Sequence, residues 1–146
     1  MKEHDAKYYV SKLGLNPHPE GGYYKRTFES QEQTSDQELT VDFEGKRKLY
    51  TSILFLLGSN DISHFHRLKS DELWYYHAGS PLTVHVIEEN GDKLGINLDI
   101  GEVPQVLVPK NCIFGSSVTD EDTLNHQRYS QLPYQIEAFL CHQQYL

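Results

Sequence analysis

The chain has few residues that cross-link and no long apolar run. Of its 146 residues only two are cysteine, Cys112 and Cys141, and no C-x-x-C spacing joins them. No disulfide framework is implied, and reduced thiols suit a cytoplasmic protein. The longest apolar run, Ile53 to Leu57, falls far short of the ~20 residues that cross a bilayer. The opening MKEHDAKYYV has no apolar core of a secretory leader. Basic residues are scarce, with Lys+Arg 13 against Asp+Glu 21 and a net charge of −8. A nucleic-acid surface ordinarily needs a basic patch. The expected partners therefore include neither nucleic acid nor a membrane. No serine stands in a G-x-S-x-G elbow, so a Ser-His-Asp hydrolase is not supported.

What is present reads as β structure. Residues 5–14 form one short helix, with Asp5 as cap and Gly14 just past the end. Pro17 and Pro19 then break it, because each fixes φ and biases its predecessor to extended backbone. Short aromatic and branched segments follow at close spacing: 22–28, 48–57, 64–67, 72–77, 82–88, 93–98, 106–108, 112–118 and 134–140. Asn90-Gly91 marks a hairpin between two of them. The pattern predicts a single, mainly β domain over residues 1–146, a sandwich, barrel or jelly roll with one leading helix.

The stretch Gly58 to Gly79, GSNDISHFHRLKSDELWYYHAG, concentrates the chemistry. His64 and His66 stand at i and i+2, which on a regular strand places both imidazoles on one face. Glu72 would complete a set of two histidines and an acid, a donor set for Fe(II), Mn, Ni or Zn. Asp71 is the alternative acid, pointing the other way. Without a metal, the same groups make a pocket in which His66 and Glu72 move protons.

If Ala78 to Pro81 closes a hairpin, Trp74 faces His85 and Tyr76 faces Thr83. Glu72, Trp74, Tyr76 and His85 then share a polar-aromatic face, and Leu82, Val84 and Val86 lie on the other. Tyr23 and Lys25 share a face of an earlier strand, where a cation beside a tyrosine could hold an anionic group. These five, Trp74, Tyr76, His85, Tyr23 and Lys25, are the substrate-binding candidates read from the residues.

The stretch resembles the first motif of the cupin superfamily through Gly58, His64, His66, Glu72 and Gly79, although five residues separate His66 from Glu72. The second motif is poorer. Pro109 is followed by Asn111 and Phe114 where the pattern has glycine and histidine, so Phe114 replaces the fourth metal ligand. Two strings, HPEGGY at 18–23 and HRLKSDELW at 66–74, resemble signatures of a small cupin branch known as a domain of unknown function. The resemblance covers about residues 6–118. It implies a jelly-roll barrel core at 20–118, a closing segment at 119–146, a homodimer, and a fold similar to dTDP-sugar epimerases. It also implies that Glu20 lines the pocket. The tail QLPYQIEAFLCHQQYL departs from the pattern, so neither His126 nor His142 is assigned as a ligand.

Three functions follow as expectations. One is an epimerase- or isomerase-like enzyme acting on a sugar or similar small polar metabolite. The second is a metal-dependent oxygenase or isomerase using His64, His66 and Glu72. The third is a non-catalytic binding or sensor module.

Overall fold

The computed structural model describes residues 5–34, 46–58, 60–99, 101, 103–118 and 138–145, the last stretch by its backbone. The helix α1 spans Ala6–Leu13. The Asp5 carboxylate accepts the Tyr8 N–H at 2.9 Å, satisfying one orphan donor of the first turn. Gly14 takes the left-handed conformation that ends it. The expected helix at 5–14 is thus present, with both caps in the expected roles.

The strands among the described residues are β1 (Asn16–Pro17), β2 (Tyr23–Glu29), β3 (Gln33–Thr34), β4 (Arg47–Lys48), β5 (Tyr50–Leu57) and β6 (Ile62–Arg67), then β7 (Asp71–Ala78), β8 (Leu82–Ile87), β9 (Lys93–Leu98), β10 (Gln105–Val108), β11 (Ile113–Val118) and β12 (Ala138–Tyr145). One sheet has the order β1-β2-β5-β12-β7-β10, and a second has β6-β11-β8-β9. The strands in each pair antiparallel throughout. β3 and β4 form a separate two-stranded ladder. Apart from these two and β1, all only two residues long, each strand was anticipated from pattern.

The core lies between the two large sheets. Phe55, Leu57, Trp74 and Val106 from the first meet Val84, Val86, Leu98 and Phe114 from the second. Each such side chain contributes roughly 1.5–3 kcal/mol by leaving water. Trp74 and Phe114 touch across the sheets edge-on, with ring centroids 6.3 Å apart. This is a double-sheet jelly-roll barrel.

Asn90-Gly91 makes the expected hairpin, pairing Leu82 with Leu98 and Ile87 with Lys93. The other expected hairpin does not form. β7 pairs with β10 and β12, and β8 pairs with β9 and β11. Gly79 to Pro81 therefore carries the chain from one sheet across to the other. In a two-sheet barrel consecutive strands need not be neighbours, and sequence proximity cannot tell an arch from a hairpin.

β12 enters the first sheet between β5 and β7. It is described over Ala138–Tyr145, overlapping the expected segment 134–140, whose residues 134–137 lie outside the described residues. His126 lies outside the described residues, and of Cys141 and His142 only the backbone is described.

Candidate functional site

The site is built where one turn bridges the two sheets. The HPEGG segment closes the β1–β2 ladder. The His18 N–H donates to the Gly22 carbonyl at 2.9 Å, and the Gly21 N–H donates to the His18 carbonyl at 3.0 Å. Gly21 has φ 108°, and a Cβ there would lie 2.0 Å from the Ile62 carbonyl oxygen of β6. Only glycine permits both that conformation and that approach. The turn is fastened to β6 by Glu20, whose carbonyl accepts the His64 N–H at 2.7 Å and the His64 ring at 2.9 Å. Glu20 thus joins the site through its backbone carbonyl.

β6 is not regular. Phe114 pairs with His66 while Ser116 pairs with Ser63, so two residues of β6 oppose Gly115 alone. This is a β-bulge. A Cβ on Gly115 would stand 2.6 Å from the Ser63 carbonyl oxygen, so the bulge is matched to a glycine. Because Phe114 and Ser116 share the inward face of β11, the bulge brings Ser63 and His66 onto the inward face of β6. The expected sharing of one face by His64 and His66 fails for this reason. The extra residue breaks the two-residue period between them. His64 is exposed and turned to the Glu20 carbonyl, whereas His66 is half-buried with its ring 4.3 Å from that of Phe114.

The tautomers follow from the partners, because a carbonyl only accepts. Nδ1 of His64 therefore donates to the Glu20 carbonyl. Nδ1 of His66 donates to the His64 carbonyl at 2.8 Å. In the neutral ring this leaves the Nε2 lone pair of His66 as a base.

β7 alternates as expected. Glu72, Trp74 and Tyr76 are buried on its inward face. Glu72 is 2% exposed and is the one buried acid among the described residues. It stands opposite Val108 of β10. Trp74 is enclosed by Phe55 and Phe114. The Tyr76 hydroxyl donates to the Gly79 carbonyl. Burial raises the pKa of that phenol, and the Asp99 charge adds to the effect, so it remains a donor. Asp71 points away from the barrel, as expected, and accepts the Lys110 N–H at 2.8 Å.

Three expected pocket residues lie elsewhere. His85 is on the outer face of the second sheet, where its Nε2 is 2.9 Å from the Ser117 hydroxyl and its ring neighbours Phe65. The inward set of β8 is Leu82, Val84 and Val86. The missing hairpin inverts that assignment. Lys25 is on the outer face of β2 and donates to the Leu13 carbonyl at 2.8 Å. It thereby caps the last turn of α1. Tyr23 is on the same outer face, in an open cleft of about 330 Å³ shared with Lys7, Val10, Ser11 and Asp61.

The inward neighbours in this part of the barrel are His18 and Tyr24, with ring centroids 4.8 Å apart, and His18 also meets Phe55 at 5.7 Å. The Glu20 N–H donates to Nδ1 of His18 at 3.1 Å. His18 stood within the HPEGGY string, and Tyr24 next to Tyr23. Neither could be chosen before it was known which face of β2 turns inward.

The donor set does not fit a metal ion. Among the described residues no three His, Cys, Asp or Glu side chains come together in a group able to hold one. His64 and His66 are parted by the bulge, and the position opposite His66 is filled by the Phe114 ring.

A family model described as the cupin superfamily (DUF985) matches residues 7–132. A protein of known structure from Shewanella oneidensis is 34% identical with a TM-score of 0.73, over 98% of this chain and 78% of that one. A hypothetical protein from Leishmania major is 32% identical with a TM-score of 0.75, over 97% and 81% of the two chains. A variant of oxalate decarboxylase from Bacillus subtilis is 14% identical with a TM-score of 0.55, over 90% of this chain and 26% of that one, a likeness of fold alone. No curated protein matches. The matched residues take in the HPEGG turn and every strand from β1 to β11, and the chain belongs to the DUF985 family of the cupin superfamily.

Proposed function

We propose that the barrel binds a small polar metabolite and moves protons on it, in the manner of an isomerase or epimerase, with His66 as base and Glu72 as the acidic partner. The observation that carries this is the enclosure of the Glu72 carboxylate, 2% exposed, on the inward face of β7. Burying a carboxylate is costly, and an enclosed acid in a barrel that also carries an inward imidazole of fixed tautomer supports a reading of proton transfer. Trp74 and Tyr76, on the same inward face as Glu72, contribute an aromatic wall. The similarity to sugar epimerases that the sequence motifs imply is an analogy, and suggests only the substrate class to try first.

The test is a panel of sugar nucleotides and free sugars, followed by NMR for exchange of carbon-bound hydrogen with solvent deuterium. Exchange that disappears in both His66→Ala and Glu72→Gln, with folding intact, is expected. A ligand that binds and never exchanges would instead make the protein a binding or sensor module.

The protein is further proposed to be a cytoplasmic homodimer. Ile62 and Phe65 are 51% and 57% exposed on the outer face of the second sheet. They offer apolar surface to a second copy. Sedimentation of the wild type and of Phe65→Glu checks this. A wild type that is already monomeric would remove it.

A further inference from the structure

The cleft between α1 and the barrel wall carries two opposite charges that the fold does not use. Its volume is about 330 Å³, and it is lined by Ala6, Lys7, Val10 and Ser11 of the helix, by Tyr23 of β2 and by Asp61, the residue before β6. Positions four apart share one side of a helix. Two rows of α1 therefore line the cleft, Ala6 with Val10 and Lys7 with Ser11. Ala6, Val10 and Tyr23 are half-buried, while Lys7, Ser11 and Asp61 are exposed. The lining combines an apolar surface with one cation, one anion and two hydroxyls.

Lys7 and Asp61 come from different elements and line the same cleft without pairing. Among the described residues neither makes an ion pair, with the other or elsewhere, and no side-chain hydrogen bond engages Ser11 or Tyr23. Space remains between them, and its volume is at the lower end of the roughly 300–1,000 Å³ of small-molecule sites. Both walls are also fastened. The Lys25 ammonium holds the Leu13 carbonyl at 2.8 Å, which ties the end of α1 to β2. The Asp61 N–H donates to the Gly58 carbonyl at 2.9 Å, and the next residue, Ile62, lies against Gly21 of the HPEGG turn. Walls held in place beforehand spare a ligand the cost of ordering them.

We propose that this cleft binds a small zwitterion with a hydrocarbon body. Its carboxylate meets the Lys7 ammonium, its ammonium meets the Asp61 carboxylate, and its apolar part rests on Ala6, Val10 and the Tyr23 ring. A free amino acid is the simplest such molecule. The cleft is on the outside of the barrel, and its binding does not rest on His66 and Glu72 performing chemistry.

Amide NMR spectra of the full chain, titrated with L-leucine, L-phenylalanine and ε-aminocaproate, test it. Isocaproate and isopentylamine are the comparisons that carry one charge each. At least one zwitterion is expected to bind saturably, to shift the Lys7, Tyr23 and Asp61 signals, and to bind more tightly than either single-charge probe. Asp61→Asn and Lys7→Met should each weaken it by about fivefold, the upper end for one exposed charge contact. Lys25→Met should weaken it as well, by loosening the helix wall. His66→Ala should bind as wild type does. The inference is overturned if no zwitterion binds, if a single-charge probe binds as tightly, or if Asp61→Asn and Lys7→Met keep full affinity. It is overturned equally if His66→Ala abolishes binding, which would put the ligand in the barrel.

Discussion

His64 gives both its backbone N–H and its ring Nδ1–H to one acceptor, the carbonyl of Glu20, at 2.7 and 2.9 Å. One carbonyl has two lone pairs and can take both. The first histidine of the H-x-H pair is thereby committed to the HPEGG turn, forty-four residues earlier in the chain. It works as a fastener between the turn and the second sheet.

His64→Ala should accordingly cost about 1 kcal/mol of stability, the net worth of one hydrogen bond. The backbone bond would remain. Urea denaturation measures the change, and a loss of several kcal/mol would mean that the ring does more than hold the turn.

No stoichiometric metal is expected on these histidines. The bulge separates them, and Phe114 fills the place opposite His66. Titration of metal-stripped protein with Mn(II), Ni(II) and Zn(II) checks this. An ion held one to one by the wild type, and lost in both His64→Ala and His66→Ala, would contradict the geometry.

Lys25→Met should loosen the helix and leave the barrel alone. The Lys25 ammonium caps the Leu13 carbonyl. Such an interaction at a helix C-terminus is worth about 0.3–1 kcal/mol. Amide exchange over Ala6–Leu13 should quicken, while affinity for any ligand of the barrel interior stays as in wild type. Weakened ligand binding would return Lys25 to the site.

Stability should fall in alkali. Burial raises the pKa of Tyr76 above its ordinary 10.0, with Asp99 adding to it. Burial also raises that of Cys112 above its ordinary 9.0, with Glu88 and Glu89 adding and Arg67 opposing. Both groups hold their protons longer in the folded protein than in the unfolded chain. Their contribution is therefore complete below the unfolded pKa and is lost as pH rises through the folded one. Denaturant midpoints should decline from about pH 9 upward. Cys112→Ala and Tyr76→Phe should each flatten the decline.

Much of the barrel was legible. The spacing of branched and aromatic residues located the main strands, and Asp5 and Gly14 located the helix. Strict alternation placed Glu72, Trp74 and Tyr76 on one inward face, because β7 carries no bulge between them. The same rule failed at His64 and His66, where an extra residue in β6 meets Gly115. It failed again at His85, where a supposed hairpin proved to be a crossing between sheets. Alternation says which residues share a face. It does not say whether that face is inside, as Tyr23, Lys25 and Tyr24 illustrate on β2.

The sequence by itself determined the elements, the family and the string that makes the bridging turn, because helix caps, prolines, glycines and strand period act over a few residues. Only the tertiary structure decided the neighbours: β12 between β5 and β7, Phe114 against His66, Ser116 opposite Ser63. Those depend on pairings between strands remote in the chain, and a single bulge or sheet crossing reverses every side chain beyond it.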